Sequence, residues 1–280
     1  LQAVRALAYM GILTFHCGLS QLGAWGVSVF FILSGFVLTY SYYDKPLKAD
    51  VKSSVSFALR KIGKLYPLHI VTTWLVLVLL VQQHQTVQYA PAFLANCLLL
   101  HSWMPHNEIY LGLNGVSWYL STAMFLYAAF PLVLRRVKKI SSVRKAVCVC
   151  AAAFLIQCVL CMGLMWYHNR DYPFVLNYHW ITYIFPVFRM GDFVIGACLG
   201  YIFRNGRLQI SRGWATVLEL LVVLCTFVCG YFYKHQELVP GYEFFRYTVI
   251  YTIPSAGLVL LFALKKGAFS NLLTCRPVVL

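Results

Sequence analysis

The chain has 280 residues, 61% of them hydrophobic and only 11% charged, with a formal net charge of +15 at neutral pH. This composition excludes an ordinary soluble globular protein. Apolar runs near the ~20 residues that cross a bilayer recur along the whole length. The expected fold is therefore an all-α, polytopic transmembrane helix bundle of about eight spans, a single domain over residues 1–280 without repeats.

The first expected span, Leu1–Gly18 (LQAVRALAYMGILTFHCG), carries two ionisable residues, Arg5 and His16. Eleven steps of 100° make three turns plus about 20°, so the two share a helix face about 16 Å apart along the axis. Ionisable residues inside a span are functional candidates because burying them in hydrocarbon is costly. Two on one stripe suggest a polar groove. A second span follows at Gly26–Tyr43, where FFILSGF sets Ser34 and Gly35 beside bulky Phe30 and Phe31, a pattern that allows close helix approach. The stretch SVSFALRKIGKLY reads as an interfacial amphipathic helix. A third span runs from about Leu65 to Val81, with Pro67 tolerated in its first turn. A short interfacial or re-entrant helix is expected at Ala92–His101. The remaining spans are Trp118–Leu134, Ala146–Trp166, about Trp180–Phe203, Trp214–Tyr233 and Phe245–Leu264.

The positive charge lies in alternate connections. Lys45, Lys48, Lys52, Arg60, Lys61 and Lys64 form one cluster, and Arg135, Arg136, Lys138, Lys139, Arg144 and Lys145 a second. Arg204, Arg207 and Arg212 form a third, and Lys265, Lys266 and Arg276 a fourth. This is the positive-inside pattern of a multi-pass membrane protein, with the amino end, the basic loops and the present carboxyl end in the cytoplasm. Contact with anionic membrane lipid follows from it, and nucleic-acid binding does not. The cysteines lie mostly within apolar runs and read as small buried hydrophobes rather than a disulfide or zinc framework. The chain starts without Met and stops as an apolar run begins after Pro277, so it reads as a fragment trimmed at both ends.

Three stretches could carry chemistry. With this topology Arg5 sits at the cytoplasmic mouth and His16 lies toward the outer half of the membrane. The arginine suits a phosphorylated donor and the imidazole a general base. The alternative is that Arg5 snorkels to lipid phosphate and His16 bonds a neighbouring helix. Lys61 and Lys64, at i and i+3, could grip phosphates at the same edge or simply anchor the helix. Arg189 and Asp192, three residues apart in the sixth span, can pair on the helix face, as site or as structural ion pair. Glu219 is expected to reach headgroup water. His69, beside the basic mouth, is a weaker candidate. His84, His101, His106, His168, His179 and His235 fall in or beside outer connections without motif spacing. No metal-ligand spacing, nucleophile elbow or phosphate-cradling glycine loop occurs.

Taken together, LQAVRALAYMGILTFH, GVSVFFILSGFVLTY, RKIGKLYPLHIV, NGVSWYLSTAMFLYAAFP and FPVFRMGDFVIGACLG resemble, in order, the helix motifs of the membrane acyltransferase 3 family of bacterial O-acyltransferases. The resemblance covers almost the whole chain. It implies an acyl-CoA donor, usually acetyl-CoA, reaching the protein from the cytoplasm, with no bound cofactor and no metal. The acceptor it implies is a hydroxyl on an envelope or exported carbohydrate or lipid-linked sugar. By the same resemblance His16 is the catalytic base or acyl-relay residue, and Arg5, Lys61 and Lys64 contact CoA phosphates. Ser34, Arg189 and Asp192 then support the polar groove. The chain departs from the family pattern in having lysines at 61 and 64 where paired arginines are usual. It also has Ala123 where many members carry a glutamate, which removes a possible partner for His16, so either Asp192 substitutes or the activity is altered. The family's last helices are missing.

The expected function is thus a cell-membrane O-acetyltransferase for a carbohydrate hydroxyl. The other reading is a non-catalytic transport or substrate-uptake domain on the same fold.

Overall fold

The computed structural model describes residues 1–82, 90–170, 176–206 and 208–273; His84, Arg207 and Arg276 lie outside them. The described residues form α1 (Gln2–His16), α2 (Gly23–Tyr42), α3 (Val51–Ile62), α4 (Tyr66–Gln82), α5 (Ala90–Cys97), α6 (Asn107–Tyr110) and α7 (Trp118–Val137). They continue with α8 (Val143–His168), α9 (Pro186–Asn205), α10 (Arg212–Lys234), α11 (Tyr242–Phe245), α12 (Val249–Leu264) and α13 (Ala268–Leu272). Among the described residues six stretches are long and apolar enough to cross a membrane: Gly23–Tyr42, Gly115–Val137, Val143–His168, Trp180–Asn205, Arg212–Lys234 and Tyr242–Leu264. The pair α3 and α4, bent by 66°, makes a seventh if it is one broken span.

The first and third expected spans are α1 and α4, 15 and 17 residues as described, and α4 is the second half of the bent pair. The sixth expected span is also interrupted. A π-helical turn at Trp180–Ile184 ends at an extended Phe185, because Pro186 lacks the N–H that would continue it and disfavours helical backbone before it. The expected amphipathic helix is α3, and the short one before His101 is α5.

The chain forms two compact units: Leu1–Lys45, Arg136–Leu176 and Gly191–Leu280 in the first, Pro46–Arg135 and Asn177–Met190 in the second. In the first unit α2 is the buried centre, with Val29, Ile32, Leu33 and Phe36 almost wholly covered and packing against α1 and α12. The small residue in FFILSGF has a direct reason. A Cβ on Gly35 would overlap the Phe193 carbonyl oxygen, and one on Gly196 would overlap that of Ile32, so α2 and α9 cross with backbones in contact. By contrast α8 and α10 bury little and turn Leu155, Ile156, Leu160, Leu220, Leu221 and Leu224 outward, the surface that hydrocarbon covers in a bilayer.

Basic clusters meet at one end of this unit. Arg204 Nη2 is 2.6 Å from Asp44 Oδ2, and the Arg204 and Lys138 cations lie 5.1 and 5.9 Å from the Tyr43 ring centre. Lys138 Nζ also donates to the Lys45 carbonyl at 3.3 Å. Connections widely separated in sequence thus carry their charge to the same end.

In the second unit α3 opens on an Asp50 cap that accepts from Ser53 N at 2.9 Å and Ser53 Oγ at 2.8 Å. Those bonds hold the Asp50 carboxyl below its ordinary range. The helix buries Phe57, Ala58 and Ile62, and Phe57 stacks on Phe130 at 5.3 Å. Trp180 Nε1 donates to Ser102 O and Thr122 Oγ1 to Ile184 O, both at 2.9 Å, tying the π-helical turn to α7 and its neighbours.

Candidate active site

The unbroken α1 keeps Arg5 and His16 on one line. Its Val4, Ala8 and Gly11 are buried, while Arg5, Tyr9 and His16 are exposed. Arg5 Nη1 donates to Gln2 Oε1 at 3.0 Å. The His16 ring meets Phe15 edge-on at 5.5 Å, and among the described residues no hydrogen bond reaches it. The imidazole is thus open to a ligand on both nitrogens, and Asp192 does not orient it. A cavity of about 260 Å³ lies on the other side of this helix, lined by Leu7, Gly11, Thr14, Trp25, Thr226 and Leu258 among others. Thr14 is turned about 200° from His16, so the cavity and the ionisable stripe occupy different faces. The two threonine hydroxyls bond back to Met10 O and Val222 O, which leaves the cavity apolar.

Lys61 and Lys64 do not share one helix face. Lys61 ends α3, half-buried with its ammonium 5.3 Å from the Phe57 ring centre. Lys64 is exposed beyond the Gly63 cap, in the turn where α3 and α4 bend. Both still belong to one corner, and a corner can present two cations to a phosphate as a helix face can.

Arg189 and Asp192 are both fully buried in α9. The Arg189 guanidinium lies 5.4 Å from the Tyr183 ring centre, a contact that offsets part of its desolvation. Asp192 Oδ1 accepts from Thr252 Oγ1 at 3.2 Å and Gln157 Nε2 at 3.5 Å, joining α9 to α8 and α12. Ser34 is half-buried on α2. Ala123 packs with Ile62, Leu99 and Leu120 in an apolar cluster. A glutamate there would need partners that these neighbours do not supply.

Two features escaped the sequence reading. The first is a buried polar cluster in the second unit. His69 Nε2 is 3.0 Å from Asn96 O, and the His69 and His101 rings stack with centres 6.2 Å apart. His101 Nδ1 is 3.4 Å from Ala95 O and its Nε2 is 3.2 Å from Ser117 Oγ. Ser117 also reaches Asn96 Oδ1 at 3.0 Å and Asn114 O at 2.6 Å. Burial pushes the His101 pKa down to about 4, so the ring is neutral. These residues come from four elements and their connections, so no spacing rule within one element could join them. The clue available was a polar content unusual for apolar surroundings: asparagine, histidine and serine at 96, 101 and 117.

The second is Glu219, which does not reach headgroup water. It is buried, and its Oε2 accepts from Phe269 N at 3.0 Å and Ser270 N at 3.4 Å. The carboxylate caps the first turn of α13 and fits there because Gly267 has no side chain to obstruct it.

The family model described as "Acyltransferase domain" matches residues 1–278, a span that includes both units. The chain is also similar to the acyltransferase MdmB of Streptomyces mycarofaciens, with 32% identity over 215 residues, 75% of this chain and 53% of that protein. It spans about half the length of this curated relative. No solved structure matches it. With a family match over nearly all its residues, and six described stretches long and apolar enough to cross a membrane, the chain belongs to the acyltransferase 3 family of membrane proteins.

Proposed function

We propose that the protein moves an acyl group, acetyl in the first instance, from acyl-CoA to a hydroxyl of a cell-envelope or exported carbohydrate or lipid-linked sugar. The observation that carries this reading is the unbroken α1, which keeps an arginine and an unbonded imidazole on one exposed line about 16 Å apart. That is on the order of the reach of a pantetheine arm, with phosphates at Arg5 and a thioester at His16.

In the proposed step His16 takes the proton of the acceptor hydroxyl as its oxygen bonds to the thioester carbonyl carbon. The C–S bond breaks, and the CoA thiolate leaves with the proton returned by the imidazolium. The open ring nitrogens suit a residue that must first accept and then return a proton. Arg5 would engage phosphate through its fork, and Lys61 and Lys64 as point charges. Arg189, Asp192 and Ser34 would support the groove, with Asp192 held by Gln157 and Thr252. The convergence of Lys45, Lys138 and Arg204 at one end supports a cytoplasmic basic face in the cell membrane, the side from which acyl-CoA would come.

The test is acceptor-dependent release of CoA from acetyl-CoA by purified protein in lipid nanodiscs, with His16→Ala alongside. Release by the wild type and its loss in the variant are expected. Solute uptake into vesicles without any thioester turnover would instead favour a transport domain.

A further inference from the structure

Hydrogens can be counted through the buried cluster of the second unit. A carbonyl only accepts, so His69 Nε2, 3.0 Å from Asn96 O, carries the hydrogen, and Nδ1 is the ring's acceptor nitrogen. That Nδ1 is buried and has no hydrogen-bond partner among the described residues, and the whole side chain is only 5% exposed. By the same logic His101 Nδ1 donates to Ala95 O and its Nε2 is an acceptor. The Ser117 hydroxyl has one hydrogen for three acceptors: His101 Nε2, Asn96 Oδ1 and Asn114 O. Asn96 spends an amide hydrogen on Ala92 O at 2.9 Å. The cluster therefore has more acceptors than hydrogens, and the shortage is complete at His69 Nδ1.

What the site lacks is a donor, and its surroundings specify which kind. An anion would meet a lone pair. A cation would be buried without a counter-charge, since Asp50 and Glu108 of this unit are both exposed. A neutral O–H group fits. The cluster is also close in sequence to the basic corner: His69 is in the first turn of α4, five residues after Lys64, with ring centres 6.0 Å from Tyr66 and 6.2 Å from His101.

We infer that His69 Nδ1, backed by Asn96, His101 and Ser117, is a binding subsite for a hydroxyl group of the acceptor carbohydrate. This rests on the acyl-transfer reading for the identity of the hydroxyl, though not for the donor shortage itself. Water offers the same chemistry, and the experiment separates the two sources.

Histidine-labelled ¹⁵N protein in nanodiscs is titrated with methyl glucoside, and the His69 Nδ1 resonance is assigned by its loss in His69→Gln. The glutamine amide nitrogen can still donate to Asn96 O, while the ring and its Nδ1 acceptor are removed. The expected result is a bare-acceptor Nδ1 signal that moves on adding the glycoside. In parallel, His69→Gln keeps the wild-type melting temperature and raises the acceptor KM about tenfold or more, with the acetyl-CoA KM unchanged. An Nδ1 signal already hydrogen-bonded and indifferent to glycoside means water holds the site and overturns the inference. So does a His69→Gln enzyme with wild-type acceptor KM. A moving Nδ1 signal in protein that turns over no thioester keeps the subsite and removes the acyl-transfer reading. Turnover with a silent Nδ1 does the reverse.

Discussion

The two regions where polar side chains gather are built in opposite ways. On α1 of the first unit, Arg5 and His16 stand on an exposed line, and among the described residues neither is bonded to another helix. In the second unit, His69, Asn96, His101 and Ser117 are buried and bonded to one another and to backbone carbonyls from several elements. The first arrangement costs the fold little and leaves its groups free for a ligand. The second contributes to stability through its bonds and leaves the His69 Nδ1 lone pair without a partner among the described residues. Substitutions on the stripe should therefore change activity without changing stability, whereas substitutions that remove a hydrogen bond within the cluster should change stability first.

The largest effect expected is on the stripe. His16→Ala should lower acetyl transfer by about 10²–10⁴-fold while the melting temperature stays at the wild-type value; a variant that melts early would place His16 in the fold's support. Next comes pH. Burial holds His101 neutral down to about pH 4, against an ordinary 6.5. Between these values the unfolded chain binds a proton that the folded chain does not, so stability falls as pH drops through that window, by roughly 3 kcal/mol in all. Unfolding measured at pH 7 and pH 4.5 should show the loss, and His101→Gln should flatten it. Ser117→Ala, which strands Asn96 Oδ1 without its hydroxyl donor, should cost about 1–3 kcal/mol. Glu219→Gln weakens a cap without removing it and should cost about 1 kcal/mol or less, seen as faster amide exchange at 268–272. Smallest is Lys64→Ala. One exposed point charge should raise the KM for acetyl-CoA by about fivefold at most, with no change in stability.

The contrast also explains what could be read in the sequence. The Arg5–His16 stripe depends on one helix, and a period of 3.6 residues is enough to place it. The close approach of α2 was legible in FFILSGF for a similar reason: only a residue without a Cβ fits where Gly35 meets the Phe193 carbonyl. The shared face of Lys61 and Lys64 was not legible, because the chain leaves the helix at Gly63 between them. The role of Glu219 depends on α13, some fifty residues later, and that of His101 on Ser117 and Ala95 held around it by separate elements. Periodicity describes one element at a time, so sites assembled from several elements stay hidden.

The most direct test of the account uses the exposure of position 16. Purified His16→Ala protein in nanodiscs is given acetyl-CoA and a carbohydrate acceptor, with and without added imidazole. Because nothing described covers the ring, a free imidazole can take its place and pass the proton. The expected result is almost no CoA release from the variant alone and partial recovery as imidazole is added. Release at the wild-type rate from the variant without imidazole would contradict the assignment of His16 and, with it, the role given to α1.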